Sequence, residues 1–273
     1  MRTAILAASL ALAVVAVGAA PAHADEPCPL NALDCIAVER FSATADATSD
    51  ALFITSLVLP VGLELGRGLD DDSLRRGLAY GGSVGATALL AGVVKVSVKR
   101  SRPYTYSNDP QVQAFTRTAR GNKHSFFSGH TSLSFAAATS GGVLHNAVST
   151  DDNSRMILWA AGGALAASTG VFRIRAGKHF PSDVLVGAAV GTAAGIGITM
   201  AVAPDAELRW TDGAAFAGGV VVGAAVAALV PMPRDVVLPI GGSGGVIVDG
   251  PIGFTPVAMP GGGLGMSLSG TMR

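Results

Sequence analysis

The stretch GLAYGGSVGATALLAGVV, Gly77 to Val94, contains no charged residue and runs directly into Lys95. It is far too long for a strand, which typically has about 5–6 residues. Its Ala, Leu and Gly suit closely packed helix. At about 1.5 Å per residue it nearly spans a hydrocarbon core of roughly 30 Å. Two further uncharged runs, 184–204 and 213–233, have the same character. These three runs set the fold class as all-α and membrane-embedded.

Working outward from them, apolar segments alternate with short polar breaks. The pattern predicts a bundle of about six helices, near 50–66, 76–98, 129–148, 155–171, 182–203 and 213–231. Pro60 should kink or break the first. The breaks at 67–76, 149–153 and 204–212 carry charges or turn formers. Composition agrees, with 49% hydrophobic and 14% charged residues, against roughly 25% charged in soluble domains. Zero net charge excludes the global positive field of a nucleic-acid binder. Two features oppose a membrane assignment. Ala and Gly are feebly hydrophobic, and His145 and Asn146 fall inside a candidate span. A soluble periplasmic bundle is therefore the alternative.

The ends differ from the middle. Residues 1–24 read as a secretory signal, with Arg2, an apolar run from Ile5 to Ala20, and Ala22-His23-Ala24 as the cleavage site. An uncleaved first membrane helix is the other reading. Either sends the next residues out of the cytoplasm. The 99–127 loop then lies outside with Lys99, Arg100, Arg102, Arg117, Arg120 and Lys123, against the positive-inside tendency. An anion site would explain that excess. Cys28 and Cys35, the only cysteines, lie in an exported leader (25–49). In an oxidising compartment they can close a small disulfide loop, and otherwise they are two free thiols. The helical domain is expected over 50–231. A Gly/Pro-rich tail, 232–273, carries β-favouring runs at 236–238 and 246–248 that would suit a small hairpin.

Three patches in the middle concentrate the chemistry. Lys95 and Arg102 are seven apart, nearly two helical turns, so a continuous helix would put both on one face. Pro103 ends that segment, and Lys99 shares the face and competes for the role. Ser128-Gly129-His130 precedes an apolar helix. Ser128 is a natural N-cap, Gly129 lets backbone N–H groups approach an anion, and a helix N-terminus favours phosphate. Arg173, His179 and Asp183 flank a turn at Gly177 and a helix start at Pro181. His179 and Asp183, four apart, can meet by a short side-chain hydrogen bond that fixes the ring tautomer. No Asp/Glu/His cluster near these patches offers a metal-ligand set. His23, His145 and His124 read as leader, helix-surface and loop residues.

Together the patches resemble the type 2 phosphatidic acid phosphatase superfamily, which also contains the vanadium haloperoxidases. That pattern is Lys-x6-Arg-Pro, Pro-Ser-Gly-His and Ser-Arg-x5-His-x3-Asp. Here Lys95 to Pro103 matches unchanged. Phe127 replaces the leading Pro of the second motif, and Phe172 the leading Ser of the third. The resemblance implies that His179 attacks phosphorus, Asp183 orients it, and His130 protonates the leaving oxygen. It implies that Lys95, Arg102, Ser128, Gly129 and Arg173 hold the phosphate, with no metal or cofactor. The expected enzyme is a phosphatase for monoesters or diphosphates, acting on a phosphorylated lipid from the periplasmic side of the inner membrane. A soluble periplasmic acid phosphatase on small esters is the alternative, and vanadate-dependent halide oxidation belongs to a larger branch. A non-catalytic phospholipid-binding or structural membrane protein is the rival of another class. Simple binding needs no nucleophile and acid pair, so intact His130, His179 and Asp183 argue against it.

Overall fold

The uncharged runs do become helices, each longer than its apolar core. A computed structural model describes residues 30–232, except 39, 120, 204 and 205, together with the backbone of 254–258 and 264–268. Short helix α1 (Ala32–Cys35) leads into α2 (Ala43–Arg67) and α3 (Ser73–Val98). A 3-10 turn (Pro103–Tyr106) and α4 (Pro110–Thr118) form the following loop. Then come α5 (Gly129–Val148), α6 (Asp152–Arg175), α7 (Pro181–Val202) and α8 (Trp210–Leu229). Side chains cap several of the helix starts. Ser42 Oγ accepts from the Ala45 N–H at 3.2 Å, and Asp151 accepts from the Ser154 N–H at 2.9 Å.

The bundle is organised around α5, which packs against α2, α3, α6 and α7, while α8 lies along α6. Helix α5 is the most enclosed, and several of its Ser and Thr side chains bond internally. Thr139 Oγ1 donates to the Phe135 carbonyl at 2.8 Å, and Ser140 pairs with Thr199 of α7 at 2.7 Å. A helix that meets only protein can carry such residues. The other five, α2, α3 (with its extension to Tyr106), α6, α7 and α8, are long and apolar enough to cross a membrane. Their outward faces are apolar, with Val58, Leu65, Leu78, Leu89 and Val93 all exposed. Such a belt suits lipid rather than water. The fold is an all-α bundle embedded in a membrane. The protein is accordingly expected to stay with the bilayer fraction through an alkaline carbonate wash and to need detergent for extraction. Recovery in the wash, monodisperse without detergent, would contradict this.

The two polar residues near the end of α5, His145 and Asn146, find partners within the bundle. Asn146 Nδ2 donates to Asp212 at 2.8 Å, and Trp159 Nε1 donates to Asn146 Oδ1 at 3.3 Å. Arg155 completes this buried cluster with a 2.8 Å ion pair to Asp212. His145 contacts Ser154 at 3.0 Å. These partners answer the objection that His145 and Asn146 raise from sequence.

Two local expectations are corrected. Helix α2 runs through Pro60 without interruption. The Pro ring seats against Gly141 of α5, where an added Cβ would lie 2.7 Å from Pro60 Cγ. Helix α2 also begins at Ala43 rather than near 50, which brings Asp46 and Asp50 into its first two turns. In the tail, the hairpin pairs Phe254–Ala258 with Leu264–Leu268 as antiparallel strands β1 and β2. The β-favouring runs 236–238 and 246–248, the signal reading of 1–24 and Cys28 lie outside the described residues. Cys35 is disulfide-bonded.

Candidate active site

The three patches converge at one end of the bundle, where α3 and α6 finish and α2, α5 and α7 begin. Helix α3 stops at Val98 because Lys99 turns left-handed, with φ 52°. The chain then extends through Arg102, whose N–H donates to the Asn122 carbonyl at 2.8 Å. Lys95 thus stands on the last helical turn and Arg102 on extended backbone. The expected shared helix face is lost, because the helix ends four residues before Arg102. Lys99 is exposed.

Lys95 reaches the next patch. An added Cβ on Gly129 would lie 3.3 Å from Lys95 Nζ, so the bare glycine makes room for the ammonium. Ser128 caps α5 as expected, accepting from the Thr131 N–H at 3.4 Å and from its hydroxyl at 2.9 Å. The Ser128 N–H donates to the Asp183 carbonyl at 3.1 Å, which locks the start of α5 to the start of α7.

The third patch depends on a tight turn. Gly177 has φ +69°, and a side chain there would run into the Arg40 carbonyl. The turn lets the N–H groups of Lys178 and His179 return to the Arg173 carbonyl, at 3.1 and 3.3 Å, and closes α6. His179 follows immediately, 1% exposed. Its Nδ1 lies 2.8 Å from the Ser125 carbonyl oxygen. A carbonyl only accepts, so Nδ1 carries the proton and Nε2 the lone pair. Nε2 is buried and has no hydrogen-bond partner. Burial, then the charges of Lys95, Arg173 and Arg102 and the nearby His130, hold the His179 imidazole well below its ordinary pKa of 6.5. The ring is neutral at pH 7.

Asp183 does not make the short bond to His179 expected from their spacing. The two stand 3.7 Å apart. The helix-start geometry turns the Asp183 carboxylate back to the Phe180 N–H, at 2.9 Å. It also accepts from the Ser125 hydroxyl at 2.5 Å and from Arg100 at 2.6 Å. Asp183 therefore fixes the two backbone segments that hold the ring, and the Ser125 carbonyl sets the tautomer.

Several participants have no signature in the sequence. Arg100 bridges Asp183 to Asp34 of α1, which it meets at 2.7 Å, and Asp34 accepts from the Ser182 N–H at 3.0 Å. Burial opposes ionisation of Asp34, but Arg100 and Ser182 outweigh it and leave its pKa below the usual 3.8. The other participants come from α2. Arg173 Nη1 donates to Asp46 at 2.5 Å, Ser49 at 3.1 Å and Asp50 at 3.2 Å. Arg173 Nε is buried without a partner. Asp46 also pairs with Lys178 at 3.1 Å. His130 Nε2 lies 3.1 Å from Asp50, and the His130 side chain is 28% exposed. Asp46 and Asp50 are legible as two carboxylates four apart at a helix start, but their partners lie far along the chain.

The predicted site residues thus gather around one neutral histidine, with His130 on the exposed side. His124 stays exposed on its loop. Among the described residues no group of three His, Cys, Asp or Glu side chains is placed to hold a metal. A mostly apolar cleft of about 190 Å³ lies at the other end of the bundle, lined by Pro60, Tyr80, Gly141 and Leu144, and contains none of these residues.

Fold and site together define a membrane helical protein equipped to handle phosphate, with cations, a helix N-terminus and paired histidines. Comparison with protein families agrees: residues 76–205 match the PAP2 superfamily, whose members are phosphatases. The match covers α3 to α7 and all three patches, and begins after Asp34, Asp46 and Asp50. No curated protein and no solved structure matches the chain.

Proposed function

We propose that this protein hydrolyses a lipid phosphate monoester or diphosphate through a phosphohistidine at His179. The observation that carries the reading is the unpartnered Nε2 of a buried, neutral His179 under the charges of Lys95, Arg173 and Arg102. The Nε2 lone pair attacks phosphorus. The bond to the leaving oxygen breaks, and His130 gives that oxygen a proton. Water then attacks phosphohistidine, His130 takes the water's proton, and the P–N bond returns its electrons to Nε2. Lys95, Arg102, Arg173, Ser128 and the Gly129 N–H stabilise the equatorial oxygens, so no metal is required. An ammonium beside a helix N-terminus places like charge against like. A phosphate between Lys95 and the start of α5 would neutralise both.

Lipid is favoured over small esters because the site opens at the end of helices with apolar outer faces. Asp34, in the segment just after the signal-like leader, is bonded to Arg100 and Ser182 at the same end. We therefore place the site on the side to which the leader is exported, the periplasmic face of the inner membrane. The disulfide at Cys35 fits that oxidising compartment.

The test is phosphate release from matched lipid and soluble phosphates in detergent with excess chelator. The expected result is a preference for lipid phosphates and full activity with chelator present. Acid-labile, base-stable label should map to His179 after quenching. Label on another residue, or activity restored only by added divalent metal, would overturn the mechanism.

A further inference from the structure

The acid of this reaction has a partner outside the matched segment. His130 Nε2 stands 3.1 Å from Asp50 Oδ1, and the ring packs 4.5 Å from the centroid of Phe53, one turn further along α2. We propose that Asp50 is the positioning residue for His130, holding its ring through Nε2 and favouring the charged form from which the other nitrogen delivers the proton to the leaving group. The proposal rests on the phosphohistidine reading above.

The surroundings of His130 show why it needs such a partner. Burial, then Arg173 from α6, draws the pKa of the His130 imidazole down to about 4; Lys95 from α3 acts in the same direction and Asp50 opposes them, while the His179 ring also faces it. Asp50 is the carboxylate in hydrogen-bond contact with it, and Asp46 adds negative charge from the preceding turn of α2. A carboxylate at this distance stabilises the charged ring. In the first step Nδ1–H passes its proton to the departing oxygen as the P–O bond breaks, leaving a neutral ring that still donates from Nε2 to Asp50. In the second step Nδ1 recovers a proton from the attacking water. Asp50 touches no reacting atom. Asp50 also touches Arg173, at 3.2 Å, but Asp46 holds that guanidinium more closely, at 2.5 Å, pairs with Lys178 and makes no bond to His130.

This division of labour predicts a leaving-group signature. A good leaving group such as p-nitrophenolate needs no proton, whereas an alkoxide does. In full-length protein in detergent, Asp50→Asn should lower kcat/KM for an alkyl phosphate by about 100-fold, the usual scale of general acid catalysis. It should lower that for p-nitrophenyl phosphate by less than about 5-fold, as judged against the same scale. Asp50→Glu should recover part of the alkyl activity. Asp46→Asn, which loosens Arg173 and Lys178 but removes no hydrogen bond to His130, should lower both substrates alike. If the Asn variant does not fold, Asp50→Ser takes its place. Equal losses on both substrates, or no loss on either, overturn the role of Asp50. Wild-type turnover that is indifferent to His179→Ala overturns the phosphohistidine reading instead.

Discussion

His179→Ala should cut phosphate release by at least about 10⁴-fold, the scale seen when a covalent nucleophile is removed. The loss should fall on kcat. The cations that bind phosphate come from α3, the 99–102 segment and α6, so vanadate should still compete for the site. Wild-type His179 should also remain active as the medium is acidified. Its pKa lies well below 6.5, so the ring keeps its lone pair to lower pH than an ordinary histidine does. A histidine of ordinary pKa would already be about half protonated near pH 6.5. The measurement is the pH dependence of kcat/KM with p-nitrophenyl phosphate, a quantity that ends with formation of the phosphohistidine and so excludes the step in which His130 takes a proton from water. A fall in rate centred near pH 6.5 would show that His179 is not held neutral as its surroundings require. Turnover by the Ala variant within a few fold of wild type would remove His179 from the mechanism.

The sequence carried more of the bundle than of the site. Long uncharged runs and short polar breaks predict six helices, because hydrophobic length is a local property. Helix limits were less legible. Helix α2 starts early because Ser42 caps it, and α6 extends to Arg175 until Gly177 can turn the chain. Pro60 shows how packing overrides local preference, since Gly141 offers its ring a seat. In the site, the motif residues were found because they lie in three short patches. Their supports were not. Asp46 and Asp50 meet Arg173 more than 120 residues away, and Arg100 reads only as one more basic loop residue. The short His179–Asp183 bond inferred from i,i+4 spacing fails for a local reason. Asp183 at the third helical position turns to the Phe180 N–H, as carboxylates at a helix start do. Spacing identified both residues but not the hydrogen bonds they make.

Gly191→Ala should damage both stability and activity, although the position is far from any reacting atom. Helix α7 carries Gly187, Gly191 and Gly195 at intervals of four, on the face that meets α5. An added Cβ at Gly187 would lie 2.8 Å from the Ser128 carbonyl oxygen, and at Gly195 2.6 Å from that of Ala136. At Gly191 it would overlap the Ser132 carbonyl outright. These are backbone atoms inside a helix and cannot rotate aside, so α7 must move away from α5. Overpacking of this kind costs about 1–3 kcal/mol, and more where nothing yields. The same seam sets the site. Ser128 at the start of α5 is bonded to the Asp183 carbonyl at the start of α7. Separating the helices by about 1 Å displaces the phosphate cradle from the His179 support, a shift that can cost about 100-fold in rate. Gly197→Ala is the control. It lies on the same helix with nothing within 4 Å of an added Cβ. The substitution replaces a poor helix former and should be neutral or stabilise by up to about 1 kcal/mol. Thermal unfolding in detergent and kcat for both variants distinguish the cases. A Gly191→Ala protein as stable and active as Gly197→Ala would mean that α5 and α7 do not meet along this glycine seam.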